Sequence, residues 1–290
     1  MKTHNTPLTD GKTLKLLAIT SSFGLNTTEC LYDIAIAEGF TDVTVARLYK
    51  GACTLEMHMD YAENKIPKYQ YTKKCDSEWT VINGVTMEHG IMDEDWDIIF
   101  IQQSAEESPL ANTFSDYVPR LIEYVRRYKP DARFVWNMTW AYDKECGEPV
   151  FDEIFQGDQI KMYNAIVNTV REKIIAEKAD VERIIPTGTA IQNARIANSP
   201  KLTRDRVSPE KTDHIHLNAY GRLIAGYTLF ATLTDRDELT SIRVDKPSQA
   251  FHYRNDPPLE ITDKDKALIL EAVNNALKDP YNITLPKNVL

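Results

Sequence analysis

A three-layer α/β/α domain around a mainly parallel sheet is what this sequence predicts, on three observations. Short apolar runs recur at residues 14–20, 97–102, 133–137 and 181–185. Stretches with helical spacing separate them, and only one region, 69–88, carries an antiparallel signature. Near-continuous apolar runs are the mark of strands buried on both faces, and strands alternating with helices imply right-handed βαβ crossovers.

The first strand, 14–20 (LKLLAIT), runs into Ser21, Ser22 and Gly24, as a buried strand entering a tight turn does. A helix is expected over about 28–38, with Leu31, Ile34 and Ala35 on one face and Asn26 or Thr27 as N-cap. Residues 42–48 (DVTVARL) alternate and form the second strand, which stops short of Gly51. YQYTKK and WTVINGVTM are β-prone, and Asn83-Gly84 between apolar stretches signals a hairpin, inserted at about 69–88 beside the main sheet. The third core strand, 97–102, follows Trp96. A helix at about 114–128 leads to the strand 133–137, and a longer one at about 157–178 to the strand 181–185. From near Asn218 a further helix carries Leu223, Ile224, Tyr227 and Phe230. Residues 1–240 thus make one α/β domain. Residues 241–290, with a helix at about 262–278 between Pro-containing segments, are expected as a helical appendage packed on it.

Composition narrows the function. The 290 residues are 42% hydrophobic and 27% charged, enough for one sizeable core. A net charge of -9 argues against a nucleic-acid partner, because phosphate binding needs concentrated Lys and Arg. No apolar run reaches the roughly 18 residues of a membrane span. Met1 to Lys15 is polar, without the apolar core of a signal peptide, so a cytoplasmic location is expected, or a secreted or periplasmic one if a leader has been lost. The four cysteines form no CxxC, so neither a disulfide framework nor a zinc site is expected, and Cys30 reads as a buried inert thiol. The turn after the first strand holds neither G-x-G-x-x-G nor G-x-x-x-x-G-K-[ST], which speaks against a nucleotide. No metal or cofactor is expected.

Ligands of such sheets sit beyond the carboxyl ends of the strands. There the sequence places Ser21 and Ser22, then Gly51, then Gln102 and Gln103, with Asp213-His214-Ile215-His216 near the last domain helix. A serine hydroxyl needs a base, usually His, oriented by a carboxylate, and Asp213 and His216 could supply both from one short loop. Backbone N–H groups at Ser22 and Gly51 would suit a developing oxyanion. Bland roles stand beside these: Ser21 and Ser22 as turn residues, Gly51 relieving a turn, His216 as a core histidine and Asp213 as a loop residue. Ser21 competes as nucleophile and His214 as base.

The segment LAITSSFG resembles the first block of the SGNH (GDSL-like) hydrolases, with Thr20-Ser21-Ser22-Phe23 where that superfamily has Gly-Asp-Ser-Leu. The likeness is greatest to a bacterial SGNH subfamily of the DUF4886 type. It extends in order through YKGACTLEMH, DEDWDIIFIQQ, WNMTWAY, IIPTGTAIQNAR, LTRD and DHIHLNAYGR, most of the first 235 residues. The resemblance implies a flavodoxin-like SGNH fold, with Ser22 as nucleophile, His216 as base, Asp213 as its partner and Gly51 as second oxyanion donor. Two departures stand out. Thr20 and Ser21 replace Gly and Asn/Asp, and the Gly-x-Asn-Asp block is missing, so the amide of Gln103 (or Gln102) is the expected third donor.

The expected function is a serine esterase cleaving a small carboxylic ester, with a carbohydrate O-acetyl ester preferred. Trp140 and Tyr142, after the fourth core strand, could make an apolar platform for the substrate, with Gln102 beside them. Gln192, Asn193 and Arg195 could line the pocket or solvate a helix. The alternative is a catalytically weakened SGNH-fold protein that binds a ligand such as a glycan.

Overall fold

The computed structural model describes residues 7–197, 206–208, 211–212, 214–244, 261–285 and 287. Its central sheet has seven strands: β1 (Thr13–Thr20), β2 (Asp42–Tyr49), β3 (Tyr69–Lys74), β4 (Thr80–Val85), β5 (Ile98–Ile101), β6 (Arg133–Asn137) and β7 (Arg183–Ile185). Their order is β4-β3-β2-β1-β5-β6-β7. β2, β1, β5, β6 and β7 run parallel, and β3 and β4 add an antiparallel edge. Among the parallel strands this is the doubly wound order 2-1-3-4-5, whose direction of winding reverses at the first strand. The apolar runs are buried as expected: β5 is wholly inaccessible, as is β1 from Leu16 to Ile19.

Helices α1 (Ser22–Thr28), α2 (Leu31–Ala37), α8 (Thr187–Ile196), α9 (Ala219–Leu233) and α10 (Asp263–Lys278) pack together. A second group holds α3 (Leu55–Glu63), α4 (Met87–Met92) and α5 (Tyr117–Arg126). α6 (Pro149–Phe155) and α7 (Gln159–Val170) bridge β6 to β7, and α7 runs on as a π-helical turn, Arg171–Ala176. The right-handed crossover rule puts the two groups on opposite faces of the sheet, because β1 to β2 and β2 to β5 step in opposite directions. α10 begins with a capping box between Thr262 and Asp265 and buries Leu268, Ile269, Ala272 and Val273 against α8 and α9. No helix among the described residues is long and apolar enough to cross a membrane.

Two local expectations are corrected. The helix expected at about 28–38 is α2, with Leu31, Ile34 and Ala35 buried, but a separate helix, α1, precedes it from Ser22 with Ser21 as its extended N-cap residue. Asn26 and Thr27 cap nothing, because both lie inside α1 and bond elsewhere: Thr27 Oγ1 donates to Phe23 O and Asn26 Oδ1 accepts from Leu217 N. Asn83-Gly84 is not the hairpin turn. It lies within β4, where Tyr69 pairs with Val85 but Gln70 pairs with Asn83, so Gly84 is the extra residue of a bulge. Its φ of +70° is open to glycine at little cost, which is why the dipeptide that marks turns serves equally well here. The strands are joined instead by residues 75–79.

Candidate active site

At the carboxyl ends of β1, β2, β5 and β6 lies a cavity of about 300 Å³, lined among others by Ser22, Gly51, Ser104, Ala105, Tyr142 and His216. It sits at the β1/β5 switch point, where the loops leaving adjacent strands go to opposite faces and leave a crevice. Ser22 is the first residue of α1 and only partly covered, so its N–H has no acceptor one turn back. Gly24 lets α1 lie this close to β1, since a Cβ there would collide with Thr20 Oγ1 and the Phe100 ring. Gly51 follows β2 in a turn closed by Cys53 N donating to Lys50 O at 3.3 Å. The positive φ in that turn belongs to Ala52, at 52°, and not to Gly51. Relief of backbone strain therefore does not explain Gly51.

Three hydrogen bonds hold the His216 loop against this crevice. Trp140 Nε1 donates to Ile215 O at 2.9 Å, Leu217 N to Asn26 Oδ1 at 2.9 Å, and Arg222 Nη1 to Leu217 O at 2.7 Å. The side chains that hold this backbone, Trp140, Asn26 and Arg222, are all deeply buried, which strengthens the bonds they make. Phe23, the neighbour of Ser22, stacks on Trp140 with centroids 3.9 Å apart and meets His216 edge-on at 5.9 Å. α1 and the His216 loop thus share one aromatic and polar joint. Ser22 Oγ makes no hydrogen bond among the described residues.

A buried polar seam runs beneath the cavity. Thr187 Oγ1 donates to Asn137 Oδ1 at 2.6 Å, Asn137 Nδ2 to Gln102 Oε1 at 2.9 Å, and Gln102 Nε2 to Ser21 Oγ at 3.1 Å. It ties together the ends of β1, β5, β6 and β7. Both serines line the cavity, but Ser21 is 2% exposed with its hydroxyl held in the seam, whereas Ser22 is partly exposed.

Three expected roles change. Gln102 is not beside a substrate, because its amide is used up by Ser21 and Asn137. Gln103 does not reach the cavity: its Nε2 donates to Thr113 O and Oγ1, both at 3.3 Å, while its Oε1 accepts from Leu55 N and Ser104 N. Trp140 is fully buried behind Phe23 and supports the wall instead of forming it. Tyr142 does line the cavity. Gln192, Asn193 and Arg195 point to the fold's interior, on Gln159, Ala272 and Ala141 respectively.

His214 lies apart from the cavity lining, with its Nδ1 3.5 Å from Asp143 Oδ2 and its Nε2 3.7 Å from Glu145 Oε2. Asp213 lies outside the described residues. Sequence reasoning missed Tyr49, Ser104, Ala105, Glu106, Glu148 and Ile215 in the lining, and Asn26 and Arg222 beneath the His216 loop. The last two carried no signal, since a buried Asn in a helix reads like a cap and an Arg in a helix like solvated surface. Burial pushes the Tyr142 phenol well above its ordinary range, and the charges of Glu106 and Glu148 push it further. Among the described residues no group of three His, Cys, Asp or Glu side chains is arranged to hold a metal ion.

A family model described as "Domain of unknown function (DUF4886)" matches residues 15–249. The crystal structure of a DUF4886 family protein from Bacteroides uniformis is similar at 30% identity and a TM-score of 0.80, covering 96% of this chain and 100% of that one. A candidate SGNH hydrolase from Slackia heliotrinireducens is similar at 17% identity and a TM-score of 0.45, over 77% of this chain and 100% of that one. A family 3 carbohydrate esterase from Clostridium thermocellum is similar at 13% identity and a TM-score of 0.43, over 77% of this chain and 96% of that one. No curated protein matches.

Proposed function

The chain belongs to the DUF4886 family, and from its site we propose a serine hydrolase that cleaves a small carboxylic ester through an acyl-enzyme on Ser22. The single observation that supports this most is that Ser22, Gly51 and His216, from three separate segments, line one cavity at the switch point of the sheet. In this reading Ser22 Oγ attacks the ester carbonyl while His216 accepts its proton. The carbonyl oxygen, now an oxyanion, is met by the N–H groups of Ser22 and Gly51. His216 gives the proton to the departing alcohol, then takes one from a water that attacks the acyl carbon and passes it to Ser22 Oγ as the acyl–oxygen bond breaks. Asp213, three residues before His216, is the proposed orienting carboxylate, on sequence spacing alone. Acylated carbohydrates are the first substrates to screen, since Phe23, Tyr49 and Tyr142 give the cavity an aromatic lining.

Labelling with a fluorophosphonate and mapping the adduct tests this. One stoichiometric adduct on Ser22, lost in His216→Ala, is the expected result. A folded protein that takes no label there would overturn the assignment.

One observation favours a second reading, a ligand-binding protein on the same scaffold. Both candidate amides for a third oxyanion donor, Gln102 and Gln103, are engaged elsewhere. Tight glycan binding by a protein inert to every ester would decide for it.

A further inference from the structure

The Ser22 cavity has walls of one electrical sign. Glu106, in the loop after β5, and Glu148, at the head of α6, both line it, and no Lys or Arg does so among the described residues. Neither carboxylate is in an ion pair among those residues, although salt bridges are numerous over the rest of the surface. Tyr142 lines the same cavity and feels the charge of both carboxylates. It is 2% exposed and packed edge-on against Phe23, with its hydroxyl on the cavity and no hydrogen-bond partner among the described residues. A buried phenol normally finds a partner, so one left open on a cavity points to a ligand group. Tyr49 and Phe23 complete an aromatic lining. Two unpaired carboxylates, aromatic faces and an open phenolic oxygen together form a receptor for a cation. Carboxylates attract it through charge, ring faces through their quadrupole, and the phenol oxygen through the negative end of its dipole. An anionic ester would meet repulsion, with no Lys or Arg in the lining among the described residues to offset it.

Building on the hydrolase reading above, we infer that this cavity selects esters bearing an ammonium group, held between Glu106 and Glu148 against Tyr142 while Ser22 attacks the ester carbonyl. The carboxylates act on binding and orientation and take no part in proton transfer.

The test compares acetylcholine with 3,3-dimethylbutyl acetate, its neutral carbon isostere, by acid release at low ionic strength. We expect kcat/KM for the cation to exceed that for the isostere by at least about 10-fold, and the ratio to shrink as salt screens the carboxylates. In the Glu106→Gln/Glu148→Gln double variant the ratio should fall towards one. Any unfolded fraction cancels, because both esters are measured on one preparation. Equal cleavage of the two esters by the unaltered protein would overturn the ammonium preference and leave the hydrolase reading standing. If neither ester is cleaved and Ser22 takes no fluorophosphonate, the hydrolase reading falls. Calorimetry of both compounds with Ser22→Ala protein then decides the preference: tighter binding of the cation, lost with the two carboxylates, upholds it, and equal or absent binding overturns it.

Discussion

Asn26 accepts a hydrogen bond from the backbone N–H of Leu217 at 2.9 Å, joining the helix that begins at Ser22 to the loop that carries His216. The two residues are 191 positions apart, and Asn26 has no exposed surface. The bond helps hold the loop of His216 against the helix of Ser22. Asn26→Ala would leave a buried N–H unpaired, at a cost of about 1–3 kcal/mol. We expect a lower urea midpoint and, for the ester reaction, a larger loss in kcat than in 1/KM. Asn26→Asp keeps an acceptor and should recover most of the kcat.

The two adjacent serines should separate cleanly. Ser22→Ala is expected to cut ester turnover by about 10⁴-fold or more while leaving the melting temperature within a degree or so, since it removes only a partly exposed hydroxyl. Ser21→Ala removes the partner of Gln102 Nε2 and should cost about 1 kcal/mol, yet still permit labelling at Ser22. Peptide mapping of the two variants checks both.

His58 makes stability depend on pH. Burial in α3, beside Tyr69, lowers its pKa from 6.5 to about 3, so the ring stays neutral in the folded protein. The unfolded chain takes up the proton first as pH falls. The stability linked to His58 is therefore full above pH 6.5 and lost steadily between 6.5 and about 3. From pH 7 to pH 5 this one group should remove about 2 kcal/mol, on the order of 1.4 kcal/mol per pH unit below 6.5. Urea denaturation at the two pH values reads the difference, and His58→Gln should reduce it.

Gly24→Ala should destabilise by about 1–3 kcal/mol through overpacking against Thr20 and Phe100. Gly51→Ala should not, because its Cβ would meet only Tyr49 Oη at 3.4 Å with no positive φ to strain it. Thermal melts of the pair distinguish a glycine needed for packing from one with spare room. Alanine keeps the backbone N–H, so a Gly51→Ala protein that melts normally but has lost ester turnover would show that the added methyl intrudes on the space the ester occupies beside that N–H.

The apolar runs of the core strands, the alternation with helices and the placing of Ser22 and Gly51 at strand ends, with His216 ahead of the last domain helix, were all legible in the sequence. These features follow from periodicity and from short-range order, which a single chain displays directly. Local patterns misled where one residue type serves two geometries. Asn83-Gly84 suits a bulge as well as a turn, and Asn26 suits a cap as well as a buried clamp. Hydrogen-bond destinations were decided only by the tertiary structure. Gln102 and Gln103 are adjacent amides of one type, yet β5 directs the first to Ser21 and the second to Thr113, on account of which neighbours stand within about 3 Å. The sequence by itself determined the strands, the sheet they build and the chemistry available at its edge. Only folding decided which polar atoms meet, because a hydrogen bond spans a few ångströms of space and any length of chain.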